Sequence, residues 1–286
     1  MSIKLFFKQF IPSKLRSRLK KSRRRIKNSL KKRIEKTTLD DVYKLLVNEF
    51  SITKGDNLII SSSFGNLNAE FSPKELIQLL QEIVGEDGNI VMPFYPPGNS
   101  YEWAKSGQVF DMQTTRSSMG ILTQVFSEMP HVYKSVHPTK AVVAWGKNAK
   151  EITSGHEKAK TPFYWDSPYG WLLKNSSKSL GLGIKSNPMF HACEDVLSEY
   201  HISLYSRKMV PLKIAQNNNT QVVNTFVHDP MIISNLIEIG DYIKTLDLKS
   251  YKRVNIGFKY CYCLNNQELL KNCEIQFKKG NFRNKK

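Results

Sequence analysis

The spacing His191-x-x-Glu194 sets an imidazole and a carboxylate three residues apart, on one face of any helix that contains them. A carboxylate beside an imidazole fixes its tautomer and raises its basicity, which suits a general base working near neutral pH. Acylation of an amine needs such a base, because the ammonium form is not nucleophilic and a proton must leave nitrogen on the way to the amide. A histidine that caps or packs the helix beside a solvated glutamate has the same spacing, so spacing alone leaves both readings open. Three loop segments carry further polar chemistry. Ser61-Ser62-Ser63-Phe64-Gly65 follows an apolar run, and its hydroxyls and backbone N–H groups can hold a thioester carbonyl or a phosphate. Thr114-Thr115-Arg116-Ser117-Ser118-Met119-Gly120 stands at a helix start and is a candidate anion site. Ser135-Val136-His137-Pro138 lies just before a strand. Each is also ordinary loop composition. Cys193 could act as a nucleophile, but a residue two places after His191 points to another helix face.

Other chemistries lack their residues. There is no phosphate-binding Gly-x-x-x-x-Gly-Lys loop, and Gly181-Leu182-Gly183 lacks the third glycine of a dinucleotide fingerprint. No His-Glu-x-x-His occurs, and no pair of the six histidines has ligand spacing next to a carboxylate cluster, so no metal is expected. The four cysteines have no Cys-x-x-Cys spacing and read as reduced thiols.

The elements that must position these residues follow from hydrophobic periodicity. Leu58 to Ser62 reads as a strand entering the serine turn. Ser72 to Val84 reads as a helix, with Ser72 as N-cap, Pro73 in the first turn and Glu75 at the capping-box position. Gly88-Asn89 turns into a strand from Ile90 to Phe94. A helix over Ser118 to Glu128, a strand over Ala141 to Trp145 and a strand over Ser179 to Gly183 follow, the last leading into a helix over Phe190 to Tyr200. Val222 to Val227, Ile232 to Leu246 and Val254 to Tyr262 complete the series, and Gln216 to Asn219 reads as a surface loop or hairpin. Such alternation predicts a layered α/β/α domain on a mixed, largely parallel sheet. His191 then stands where a strand ends and a helix begins, at the mouth of the sheet, where ligands bind.

Charge divides the chain into residues 1–36, a domain over 37–277 and a basic tail over 278–286. The net charge is +18, of which residues 1–36 carry +14 and the body 37–277 about −1. A nucleic-acid enzyme normally carries its basic stripe on the fold, so nucleic acid is not the expected partner. Leu15, Leu19, Ile26, Leu30 and Ile34 make one narrow apolar stripe at helical spacing among Lys and Arg. This predicts a basic amphipathic N-terminal helix on an anionic membrane surface, with Phe6, Phe7 and Phe10 inserting beside it; a partner-bound helix or a solvated arm are the alternatives. With no spanning segment and no secretory signal, the expected location is cytoplasmic, peripheral to the inner face of the membrane.

Taken in order, the segments resemble the antibiotic N-acetyltransferase family, typified by aminoglycoside 3-N-acetyltransferases. The resemblance runs from about Leu45 to Gln276. It rests on the strand into Ser62-Ser63, Gly88-Asn89-Ile90-Val91-Met92-Pro93, Phe110-Asp111, Ser117-Ser118-Met119-Gly120, Ser135-Val136-His137-Pro138 before Val142-Val143-Ala144-Trp145-Gly146, Thr161-Pro162-Phe163 before Ser167-Pro168, and Leu182-Gly183 before His191-x-x-Glu194. The chain departs from the family at Ser61, Arg116 and Pro188-Met189, where His, Pro and Thr are common. The resemblance implies a fold unrelated to the GNAT acetyltransferases and acetyl-CoA or another acyl-CoA as donor. It implies His191 as base, with Glu194 beside it on the acceptor side. It also implies a pantetheine and phosphate channel lined by Ser62, Ser63, Phe64, Ser117, Ser118, Met119, Gly120, Ser135 and His137, with Asp111 as an acceptor contact. The membrane-directed arm turns this into an expectation of N-acylation of a nucleotide- or lipid-linked amino sugar in bacterial surface polysaccharide biosynthesis. Aminoglycoside acetylation conferring antibiotic resistance is the alternative, and an inactive membrane- or nucleic-acid-binding scaffold a second.

Overall fold

Strand β1 (Asn57–Ser62) is the hub of the computed structural model, which describes residues 35–201, 203–217 and 219–283. Its side chains alternate between two cores: Leu58 and Ile60 pack on one face of the sheet and Ile59 on the other. A strand buried on both faces must be covered by two layers, and it is central. It pairs in parallel with β2 (Asn89–Pro93) on one side and with β6 (Ser177–Leu182) on the other. The flanks are antiparallel: β4 (Tyr133–Lys134) and β5 (Val142–Gly146) extend from β2, and β10 (Lys259–Asn265) and β9 (Lys252–Ile256) extend from β6. The seven-stranded sheet is thus mixed, with its parallel strands in the centre. A second, three-stranded sheet joins β3 (Phe110–Asp111), β7 (Val210–Gln216) and β8 (Asn219–Thr225).

One layer contains α1 (Leu39–Lys44), α2 (Pro73–Val84), α4 (Ile121–Ser127) and the small sheet, around Leu76, Leu80, Phe126 and Ile214. The other contains α5 (Ala149–Thr153), α6 (Pro168–Lys174), α7 (Pro188–Val196) and α10 (Asn266–Lys278), around Tyr169, Phe190, Leu269 and Phe277. The short helix α3 (Ser100–Ser106) precedes β3. Ser72 caps α2 and Glu75 returns the bond, as the capping-box pattern predicts.

Four expected elements change, the first being the helix predicted over Phe190 to Tyr200, whose α-helical part ends at Val196 before a separate 3-10 turn over Ser198–Tyr200. The helix predicted from Ser118 begins at Ile121, because Gly120 has φ 104° and no helix can run through it. Ile232 to Leu246 is no single helix: α8 (Pro230–Ser234) and α9 (Ile239–Tyr242) are separated, and the break places Leu236 and Ile237 beside the site. Val254 to Tyr262 is the hairpin β9–β10, turning at Gly257 with φ 60°. Gln216 to Asn219 does close the β7–β8 hairpin. The amphipathic helix expected within residues 1–36 lies outside the described residues, apart from Glu35 and Lys36, which are exposed and belong to no helix. Among the described residues no helix is long and apolar enough to cross a membrane.

Candidate active site

Helix α7 is aimed by the strand before it. Gly181 of β6 sits opposite Tyr262 of β10, and a Cβ at Gly181 would lie 1.9 Å from the Tyr262 ring. The ring therefore crosses β6 directly and reaches the next loop, where its hydroxyl donates to the Ser186 carbonyl at 2.5 Å. Asn187 then caps the helix by accepting from the Met189 N–H, and Pro188 takes the first position. Burial of Phe190, Ala192 and Cys193 turns the remaining face, with His191, toward the loops.

His191 and Glu194 meet as their spacing predicts: Nδ1 donates to Oε2 at 2.7 Å. Nε2 is left as the lone-pair position. The His191 side chain is 22% exposed and Glu194 has no exposure, so the base is reachable and its partner is not. The other Glu194 oxygen is held by Arg283, whose Nε donates to Oε1 at 2.7 Å and whose Nη2 lies 2.5 Å from it. His191 and Arg283 border a cavity of about 370 Å3 together with Ile184, Lys185, Leu236 and Ile237. A second cavity, of about 280 Å3, is lined by Glu194 rather than His191 and is bounded by Asp195, Lys160, Tyr205 and Phe226.

The electrostatics of the site are dominated by burial. It pushes Glu194 up to about 7 against the pull of the Arg283 guanidinium. His191 is pushed well below its ordinary value, first by burial and then by the positive charges of Arg283 and Lys140. Lys140 lies 4.3 Å over the Tyr95 ring and is itself lowered to about 8 by burial, partly offset by Asp195. Asp195 is raised to about 7 by burial while accepting from Thr161 Oγ1, Tyr205 hydroxyl and the Phe163 N–H. His228 stacks on Tyr205 at 4.8 Å, with its ring 4.8 Å from that of His191, and its Nε2 is buried without a hydrogen-bond partner among the described residues.

The loop residues divide. Ser62 ends β1 with a buried hydroxyl that has no partner among the described residues, a donor suited to a carbonyl of a bound thioester. Gly120 lies against it, since a Cβ there would stand 3.6 Å from the Ser62 carbonyl. Ser63 and Phe64 begin the turn after β1. In the segment before α4, the Ser117 N–H donates to Gln124, the Met119 N–H to the Ser117 hydroxyl, and the Ser118 hydroxyl to the Tyr95 and Pro96 carbonyls. The Ser117 and Met119 N–H groups are therefore engaged within the loop, while α4 begins after Gly120 with no side-chain cap on its first turn.

Ser135 and His137 are a correction. Both are buried, and their polar atoms are spent inside the fold. The Ser135 hydroxyl accepts from the Val142 N–H and bonds His156 Nδ1, whose Nε2 bonds the Pro162 carbonyl. His137 Nδ1 accepts from the Thr139 and Lys140 N–H groups, and Nε2 bonds Thr225 Oγ1. Burial lowers both imidazoles, His156 to about 4. These side chains tie β5 to the small sheet and to the loop before α6 and are closed to a pantetheine. Asp111 likewise serves its own loop, with Oδ1 accepting from Gln113 and Thr114. Cys193 is fully buried, and its thiol stands beside Cys273. Among the described residues no group of three or more His, Cys, Asp or Glu is arranged to hold a metal. Sequence reasoning missed Arg283, His228, Lys140 and Asp195. Asp195 could have been flagged as half of a carboxylate doublet, while Arg283 gave no local signal at all.

Solved structures that share this fold include aminoglycoside acetyltransferases. The apoenzyme of aminoglycoside acetyltransferase AAC(3)-IVa superposes with a TM-score of 0.66 at 20% identity, over 86% of this chain and 90% of that one. AAC-IIIb in binary complex with CoASH gives 0.68 at 17% identity, over 88% and 100%. The fold is thus of the non-GNAT acetyltransferase type, and the chain is an acyl-CoA-dependent N-acyltransferase. Residues 59–277 match the model of the aminoglycoside 3-N-acetyltransferase family, to which the chain belongs. Among curated proteins it is 28% identical over 196 residues to the SPbeta prophage-derived aminoglycoside N(3')-acetyltransferase-like protein YokD of Bacillus subtilis, covering 60% of this chain and 70% of that protein. It is 29% identical over 149 residues to aminoglycoside N(3)-acetyltransferase IV of Salmonella sp, covering 50% and 53%. These matches overturn the expectation of surface-polysaccharide biosynthesis, and the nucleotide- or lipid-linked acceptor falls with it. That expectation rested on the charge of residues 1–36, which says where a chain can sit and nothing about the acceptor.

Proposed function

We propose that this protein moves an acetyl group from acetyl-CoA to an amino group of an aminoglycoside, with His191 as general base. The observation that carries the reading is the His191–Glu194–Arg283 chain at the mouth of a sheet whose family is named for that reaction. Among structures of the fold, AAC-VIa is bound to sisomicin, and a histidine-to-alanine variant of AAC(3)-IVa is bound to a gentamicin.

Bound acetyl-CoA supplies the activated acyl carbon as a thioester. The chain's own groups do the rest. Glu194 holds the Nδ1–H tautomer, so Nε2 accepts the proton of the acceptor amine as nitrogen bonds to the acyl carbon and the carbon–sulfur bond breaks. His191 then passes that proton to the departing thiolate sulfur, so the products are the amide and the free thiol and Nε2 is neutral again. Burial, reinforced by the charges of Arg283 and Lys140, disfavours the imidazolium, so the base stands deprotonated at neutral pH. The unpartnered Ser62 hydroxyl supports assigning the donor channel to Ser62, Ser63 and Phe64, with Gly120 as its close wall. Ser118 and Met119 complete that wall, while Ser135, His137 and Asp111 are assigned to the scaffold.

Incubation with acetyl-CoA and gentamicin, sisomicin or apramycin, following thiol release and product mass, tests this. The expected result is a product heavier by one acetyl group, lost in His191→Ala. Folded protein that releases no thiol above background with any of the three would sink the reading. As a separate proposal, residues 1–36 hold the enzyme at an anionic membrane surface, supported by their charge of +14 and apolar stripe.

A further inference from the structure

The last described residues enter the site. Helix α10 ends in a turn in which the Gly280 N–H donates to the Phe277 carbonyl and the Asn281 N–H to the Gln276 carbonyl. Gly280 has φ 73°, the left-handed conformation that reverses a chain after a helix. The chain that follows is fixed at every residue. The Asn281 carbonyl accepts from the Tyr242 hydroxyl at 2.5 Å, Phe282 stacks on His201 at 4.3 Å, and the Arg283 carbonyl accepts from the Ile237 N–H at 2.8 Å. The guanidinium donates to the Ile237 carbonyl at 2.6 Å and covers the Phe190 ring at 5.3 Å. It is 3% exposed and ends on Glu194. All of this lies beyond residue 277, where the family match ends.

A buried carboxylate with one hydrogen-bonded imidazole binds a proton readily, and a protonated Glu194 cannot hold the imidazole as a carboxylate does. A buried guanidinium changes that balance, because it favours the ionised carboxylate and disfavours an imidazolium beside it. We propose that residues 280–283 form a strap that completes the catalytic base, with Arg283 as the positioning residue that biases Glu194 toward its ionised form and His191 toward its neutral one. The strap lies outside the residues matched by the family model. The inference rests on His191 being the base, but its central prediction concerns a proton equilibrium that needs no substrate.

Other titratable and charged groups also face the pair. They are Lys140 before β5, His228 before α8, Asp195 on α7, Tyr205 before β7, and His201, whose Nε2 bonds the Glu194 carbonyl. Lys140 pushes in the same direction as Arg283, so removing Arg283 leaves part of the effect.

The test is an NMR titration of the histidine imidazoles in the full chain, with the His191 signal identified as the one missing from His191→Gln. In Arg283→Gln, which keeps a planar hydrogen-bonding end without the charge, the His191 midpoint is expected to move to higher pH. Arg283→Lys, which keeps the charge but loses the fork, should move it less. The acid limb of kcat/KM should follow the midpoint upward. At pH 7 the Gln variant should lose roughly tenfold to hundredfold in kcat, the range for losing a charge-assisted hydrogen bond. An unchanged His191 midpoint in a folded Arg283→Gln variant overturns the proposal, as does a loss of rate with an unmoved acid limb, which marks a purely structural residue. Should Arg283→Gln fail to fold, the Lys variant decides: a full wild-type midpoint with less than about half the rate overturns it, and a raised midpoint supports it. A raised midpoint in a protein that acetylates no aminoglycoside leaves the strap standing and removes the function reading instead.

Discussion

His191 is a base only while it is neutral and Glu194 is ionised, and both conditions fail on the same side of neutrality. Glu194 takes up a proton as pH falls through about 7, whereas His191 is held neutral to well below its ordinary value. Activity should therefore fall as pH is lowered through about 7, with one acid limb set by the carboxylate–imidazole pair. A rate that stays flat from about pH 8 down to about pH 5.5 would show that the pair does not limit turnover. His191→Ala should lower kcat by roughly 10²–10⁴-fold with little change in melting temperature, since the side chain is partly exposed and bears no core load. Glu194→Gln should behave differently, because it strands the buried Arg283 cation. Removing one partner of a buried pair costs about 3–5 kcal/mol, so a clear drop in melting temperature should accompany its loss of rate, as calorimetry would show. The dyad was legible in the sequence because its members are three apart on one helix. Arg283 was not, because it meets Glu194 across 89 residues and no local pattern encodes such a contact.

Strand β6 and strand β10 together decide where α7 points. At Gly181 the Tyr262 ring occupies the space of any Cβ, and the backbone cannot give way without moving the loop that Tyr262 fastens through Ser186. Gly181→Ala should cost roughly 3 kcal/mol of stability and most of the activity. Tyr262→Phe keeps the ring, removes one hydrogen bond and should cost about 1 kcal/mol by chemical denaturation. Equal losses in the two variants would mean that the ring's packing against β6 does not matter. Most of the large sheet was readable from β-branched runs ended by Ser, Gly or Pro, and α2 from its Ser72-Pro73-x-Glu75 cap. The short elements were not: β3 and β4 have two residues each and exist only through their partners. The Ser135–His137 segment was misread for a related reason. Polar residues before a strand look alike in sequence whether they face solvent or satisfy one another inside, and here His156, 21 residues from Ser135, is the partner that decides.

The chain as a whole separates its charge from its fold, and the separation can be measured. Removal of residues 1–36 should leave acetylation of a soluble aminoglycoside nearly unchanged and abolish co-sedimentation with anionic vesicles. Binding of the full chain should weaken as salt rises, over a Debye length of about 8 Å near physiological ionic strength. Retention of the truncated protein on vesicles would place the contact on the body instead. Within the body, the two cations beside His191, Lys140 and Arg283, act on more than the imidazole. An ammonium docking at Nε2 enters the same field and gives up its proton more easily than it does in water. An acceptor bearing several amines would then be sorted by proton affinity as well as by shape, and the most weakly basic nitrogen would be acylated first. Regiochemistry in such a site is partly an acid–base property of the substrate, and adding electron-withdrawing neighbours to one amine should redirect the acetyl group toward it.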